Sequence, residues 1–177
     1  MSASADLNLD SALWRFVSPF YSRDGVSAAC LALQEELGVD VNILLFAIFA
    51  TVECGIVLTE SDLAAVDLLV RAWRGEVIHP LRGVRTRMKS GPRPAPSPIT
   101  EHLRSRIKAA ELEAEQIELA MLAKWLDAQA RQTSSRADVA SVPQMVARYF
   151  GKQDAFTPEA EAALERLSGV IRDVTAA

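Results

Sequence analysis

Apolar positions recur along the chain at intervals of three and four residues, the period of an amphipathic helix, nearly from end to end. Leu13, Phe16, Val17 and Phe20 form the first stripe behind Asp10 or Ser11 as a cap, with Pro19 expected to bend or end that helix. Val26, Ala29, Cys30, Leu33 and Leu37 form the second, entered near Asp24-Gly25 and closed by Gly38. A third helix from about Val41 to Cys54, capped by Asp40, is apolar on almost every side, as suits the centre of a bundle. Leu63, Val66, Val70 and Trp73 mark a fourth, started by the Thr59 hydroxyl and ended by Gly75. A fifth runs from Glu76 to Lys89, beginning effectively near Ile78 or His79 because Pro80 lies in its first turn.

The stretch SGPRPAPSP, residues 90–98, breaks the pattern and holds four of the eight prolines. Alternating prolines predict a semi-rigid polyproline II spacer. Beyond it a long helix starts at Ser97 or Thr100 and reaches about Ala130, with Leu103, Ile107, Ala110, Ala114, Ile117 and Met121 in heptad spacing. After a polar break, residues 139–151 and the segment opened by Thr157-Pro158-Glu159 predict two shorter helices. No stretch alternates with the period of a strand. The expected fold is all-α, a single-domain bundle of seven or eight helices with one long helix after a proline-rich spacer. Its organisation is a core domain over residues 1–130, containing the spacer 90–98 and the long helix 99–130, with residues 131–177 as a C-terminal helical extension packed on the same domain.

The order and spacing of several uncommon residues carry a resemblance. ALWRF (12–16), Tyr21, Gly25-Val26, ACLALQ (29–34), Gly38 and DVNILLF (40–46) are followed by Trp73, Val77-Ile78, PLR (80–82), Val84-Arg85 and Lys89. Over about residues 12–89, and weakly through AAELEAEQIE to residue 122, the chain resembles an uncharacterised family of small helical proteobacterial proteins carried as a domain of unknown function. The resemblance implies a small helical protein and no particular activity. Phe49 stands where the family pattern leads one to expect tryptophan, and the C-terminal third lies outside that pattern.

Composition narrows the class further. In 177 residues, 50% are hydrophobic and the net charge is −4, which excludes wholesale disorder, and two cysteines cannot staple a chain of this length. Cys30 and Cys54 both fall in apolar helical patterns, where a reduced, packed thiol is expected. The apolar stretch 41–58 carries Asn42 and Glu53 and is too short to span a bilayer. With no basic-then-apolar leader in the first residues, the expected address is the cytoplasm, away from membranes.

The near-neutral total hides a segregation. Residues 1–70 carry two basic and ten acidic side chains, residues 71–108 ten basic and two acidic, and residues 109–177 seven basic and eleven acidic. The basic middle segment either packs on the acidic N-terminal segment, which is the favoured arrangement, or faces an acidic protein partner. Nucleic acid ranks third, because no helix-turn-helix, zinc-ligand or aromatic RNA-binding pattern accompanies the charge.

Chemistry-bearing constellations are sparse. His79 and His102 lie in different helices and lack metal-ligand spacing, so neither a metal nor another cofactor is expected. No phosphate loop or nucleophile motif is present, and the balance is against an enzyme. Asn42 and Glu53 share a stripe of the third helix and need partners if buried, while Arg82 and Arg85, three apart, are able to clamp a phosphate or carboxylate. A structural Glu53–arginine pair is the plainer expectation. The alternative is a polar pocket for an anionic ligand lined by Asn42, Glu53, Arg82 and Arg85. Trp14 and Tyr21 are off the main stripe of the first helix and are candidates to line a groove or to meet a partner with Arg74, Arg87, Lys89 and Arg93. The leading expectation is a non-catalytic adaptor or regulator working through the basic 71–108 segment or the long helix, with a homodimer through the 103–126 seam as one arrangement.

Overall fold

In the computed structural model, residues 7–129, 139–152 and 155–176 are described, and among them the chain is helical with no strand. The helices are α1 (Ala12–Tyr21), α2 (Val26–Leu37), α3 (Val41–Val52), α4 (Glu60–Trp73), α5 (His79–Arg87), α6 (Pro98–Asp127), α7 (Val142–Gly151) and α8 (Pro158–Ala176). They form the all-α bundle that the periodicity predicts.

α3 is the axis of the bundle. Nine consecutive residues, Ile43 to Thr51, are buried, because α1, α6 and α7 cover its sides and α2, α4 and α8 close the remainder. A helix apolar on all faces gains by this enclosure: each large side chain such as Phe46 contributes roughly 1.5–3 kcal/mol on leaving water. The Asp40 carboxylate starts the helix by accepting the Ile43 N–H at 2.9 Å. No helix among the described residues is long and apolar enough to cross a membrane.

α2 lies along α8, which completes the core with Leu164, Leu167 and Ile171. The turn before α2 needs Gly25 in a left-handed conformation (φ 76°), and the Arg166 guanidinium from α8 packs directly over its Cα while bonding the Asp24 carbonyl at 2.6 Å. α7 brings Val142, Val146 and Ala147 into the same core. α8 is opened by Thr157, whose hydroxyl accepts the Ala160 N–H at 3.2 Å.

Three expectations are corrected. Gly75 does not end the fourth helix: residues 74–78 form a π-helical turn that joins α4 to α5 in one rod from Glu60 to Arg87, so the bundle has eight α-helical segments but seven separate rods among the described residues. A π turn widens the helix by one residue just where Pro80 cannot donate a backbone hydrogen bond. The proline-rich spacer does not run straight either. It reverses the chain, with the Ala95 N–H donating to the Pro92 carbonyl at 2.9 Å, because α5 and α6 pack side by side.

The long helix starts as expected, with Ser97 and Thr100 in a reciprocal cap, but its buried face is rotated from the heptad seam. Glu111, Ala114, Glu118, Leu119, Leu122 and Leu126 face inward, whereas Leu103 and Ala110 are exposed. The buried positions of α6 begin at Glu111 and its earlier turns are exposed or half-buried, while α5 packs only against α6 and the π turn, so the two project as a hairpin.

Candidate functional site

The rod formed by α4 and α5 presents Asp67, Arg74, Arg82 and Arg85 along its inner side, with Arg71 exposed at the rim, and α6 presents Glu111, Glu115 and Glu118 opposite. Spacings of three and four keep each set on one helix face, and the π turn carries the arginine row past Pro80. Arg74 donates to Asp40 and to Asp67, each at 2.6 Å, and Arg71 donates to Asp67 at 2.8 Å. The Tyr149 hydroxyl of α7 donates to Asp67 at 3.4 Å. Arg82 donates to Glu111 at 2.9 Å, to Glu115 at 2.6 Å and to the Gln34 carbonyl oxygen at 3.0 Å. Arg85 closes on Glu111 with both its Nε and a terminal nitrogen.

These pairings set the charges. Burial by itself raises the Asp67 and Glu111 carboxyls, but two guanidiniums on each outweigh it and hold both below the usual carboxylate range. Glu115 has only Arg82, and burial keeps it raised. Burial likewise lowers His79, helped by Arg82 and Arg74, so its imidazole favours the neutral form.

Glu118 is the exception in this lattice. It is 0% exposed, and neither of its oxygens has a hydrogen-bond partner among the described residues. Burial, with Asp40 adding to it, pushes its carboxyl up to about 8, against the pull of Arg74 and the nearby Asn42 amide. The acid is therefore mainly protonated at neutral pH. It lines a cleft of about 2150 Å³ whose walls include Trp14 and Tyr21 of α1, Asn42 of α3, Arg74 of the π turn and Arg82 of α5.

The sequence-predicted residues divide accordingly. Asn42, Arg82, Trp14 and Tyr21 all line this cleft. Arg74 is turned inward with its side chain 16% exposed, which removes it from the outward basic face. Arg85 is committed to Glu111. Glu53 is elsewhere: it is exposed at the C-terminal end of α3, beside Arg15 and Phe16 of α1, and forms no ion pair with the fifth-helix arginines. Eleven residues separate it from Asn42, about 16 Å along a helix axis, so one stripe does not bring the two to one pocket. Glu111, Glu115 and Glu118 were missed because the apolar seam drew attention to other positions of the same helix; their spacing of four and three was the available signal.

Other reactive groups are muted. Burial pushes the Cys30 thiol up to about 12, which keeps it protonated and unreactive. Among the described residues no group of three histidine, cysteine, aspartate or glutamate side chains is arranged to hold a metal ion.

The outward half of the basic segment is built differently. Arg87, Lys89, Arg93, Arg106 and Lys108 are exposed on the projecting hairpin and make no ion pair with the described residues, while Arg104 is bound to Glu101 at 2.6 Å. Large aliphatic groups stand bare beside them: Val84 is 51%, Ile99 86% and Leu103 49% exposed. Ile99, Leu103 and Arg106 follow at spacings of four and three and share one face of α6, and Val84 and Arg87 share one face of α5. Between Trp73 and Trp125 the sequence has no aromatic residue.

Neither a curated protein nor a solved structure matches the chain. A family model does match, over residues 12–122, which span α1 to α5 and most of α6 and so include both the cleft floor and the hairpin. The chain therefore belongs to the family described as protein of unknown function, DUF2390.

Proposed function

We propose that this chain is a non-catalytic binding protein, an adaptor that docks an acidic, partly apolar segment of another protein on the α5–α6 hairpin. The observation that carries the reading is the pairing of five unmatched cations with bare aliphatic side chains on one projecting element. Charge at the rim attracts and orients an acidic partner, and Ile99, Leu103 and Val84 supply the apolar contact that makes association durable. A nucleic acid is a poorer fit, since the hairpin offers no aromatic ring for base stacking and its aliphatic groups have no counterpart on a phosphate backbone. A buried Cys30 thiol suits a reducing compartment, so the proposed place of action is the cytoplasm.

A photo-crosslinking residue placed at Ile99 tests the proposal in living cells. The expected result is a discrete protein adduct that falls by at least about tenfold when Arg87, Lys89 and Arg93 are reversed to glutamate, and that weakens as salt rises to about 0.5 M. An adduct with a second copy of the chain, one released by nuclease, or one indifferent to the reversal overturns it.

A further inference from the structure

We propose that the floor of the cleft, where Glu118 stands unpaired beside Asp40, Asn42 and Glu115, binds a small molecule that carries a protonated amine. The proposal is independent of the hairpin and rests on how charge is matched inside the molecule. The lattice between the α4–α5 rod, α6 and Asp40 contains five carboxylates, Asp40, Asp67, Glu111, Glu115 and Glu118, against four guanidiniums, Arg71, Arg74, Arg82 and Arg85. Each guanidinium is bonded to a carboxylate, and the acid left over is Glu118. A buried carboxyl without a partner is a costly arrangement that a native core avoids unless something else completes it.

What completes it is positive. The groups that face Glu118 come from three elements: Asp40 and Asn42 at the start of α3, Arg74 in the π turn, and Glu115 one turn earlier on α6. His79, further along the rod, is held toward its neutral form by burial and by Arg82 and Arg74. An incoming anion meets Asp40 and Glu115 there, and no guanidinium is free to receive it. An ammonium group meets the opposite situation. Its N–H donors match the two Glu118 oxygens, which are covered from solvent and lack a hydrogen-bond partner, and its charge takes the place of the proton that keeps Glu118 neutral. Trp14 and Tyr21 line the same cleft. The remaining cations of the cleft, Arg148, Lys152 and Arg172, are exposed. The ligand class inferred from the paired arginines of the sequence was anionic; with those arginines already occupied, the cleft selects a cation instead.

Binding of an ammonium requires Glu118 as the carboxylate, so the proton that Glu118 holds near neutral pH leaves to solvent as the ligand enters. Affinity for an amine therefore rises with pH until Glu118 is ionised, by about tenfold per pH unit well below its pKa. A ligand that merely accepts a hydrogen bond from the protonated acid follows the reverse trend.

The test is calorimetry on the full chain with matched probes: putrescine, butanediol and succinate in one set, and tyramine, ethylphenol and hydroxyphenylpropionate in another. The expected result is that an amine binds at least about tenfold more tightly than its alcohol and carboxylate counterparts, with tightening between pH 6 and pH 8 and close to one proton released per amine bound near pH 7. Glu118→Gln keeps the shape and loses at least about tenfold in amine affinity together with the proton release. Should that variant fold poorly, the pH trend and the proton release of the wild-type chain decide the matter alone. Amines bound no better than their counterparts at millimolar concentration, affinity that falls as pH rises, or amine binding unchanged in Glu118→Gln overturns the proposal.

Discussion

Glu111, Glu115 and Glu118 lie on one helix and titrate differently because they are hydrogen-bonded by two, one and no arginines in turn. The consequence for stability has a sign. Glu118 holds its proton in the folded chain up to about 8 but loses it near the ordinary carboxylate value when unfolded, so its protonated form favours folding below that ordinary value and the benefit is lost as pH rises toward about 8. Asp67 and Glu111, held low, act in the opposite sense: their support is present at neutral pH and lost as acid carries them through their depressed values. Urea denaturation of the wild type is expected to show a stability loss of roughly 2–4 kcal/mol between pH 5 and pH 8.5. Glu118→Gln removes most of that slope, leaving the smaller part due to the raised Glu115. At this scale the sequence was a partial guide. Arg82 and Asn42, its candidates for a polar pocket, both line the cleft, but a shared stripe on α3 specifies direction around the helix and not height along it, which is why Glu53 was grouped with residues at the other end.

Among the elements, the rod from Glu60 to Arg87 departs furthest from local expectation. Glycine 75 and proline 80 both read as punctuation, yet tertiary contacts along α6 hold the segment helical through a π turn. Gly25, which precedes α2, and Gly75, inside this rod, respond in opposite ways. Gly75 has no positive φ and open space around its Cα, so Gly75→Ala is expected to stabilise by about 0.5–1 kcal/mol through reduced freedom of the unfolded chain. Gly25 is left-handed with the Arg166 guanidinium against it, so Gly25→Ala is expected to destabilise by about 1–2 kcal/mol. Thermal unfolding of both variants checks the pair. Helix starts were the most legible feature: Ser11, Asp40, Thr59, Ser97 and Thr157 each accept a first-turn N–H, since a cap is decided by neighbouring residues. The buried face of α6 was less so, because apolar spacing alone does not foresee that glutamates matched by arginines of another helix turn inward.

For the molecule as a whole, the segregated charge resolves in both directions at once. Arg71, Arg74, Arg82 and Arg85 are neutralised within the chain, and Arg87, Lys89, Arg93, Arg106 and Lys108 face out. The family match ends inside α6, but the core does not: α8 covers α2, and α7 meets α3. A fragment of residues 12–122 is therefore expected to keep much of its helix signal while losing near-ultraviolet circular dichroism and binding a hydrophobic dye, the signature of a chain whose apolar faces have lost their cover. The placement of the tryptophans has one more consequence. Trp14 stands in the cleft wall, Trp73 donates its indole N–H to the Ala114 carbonyl at 2.9 Å, and Trp125 lies edge-on to Phe46, whereas the hairpin carries no aromatic residue at all. Intrinsic fluorescence of this protein is thus a built-in optical probe of its cleft and core, to which the hairpin is dark: an emission change on adding a small molecule reports on the interior, and one on adding an aromatic-free peptide to the hairpin reports that the interior has responded.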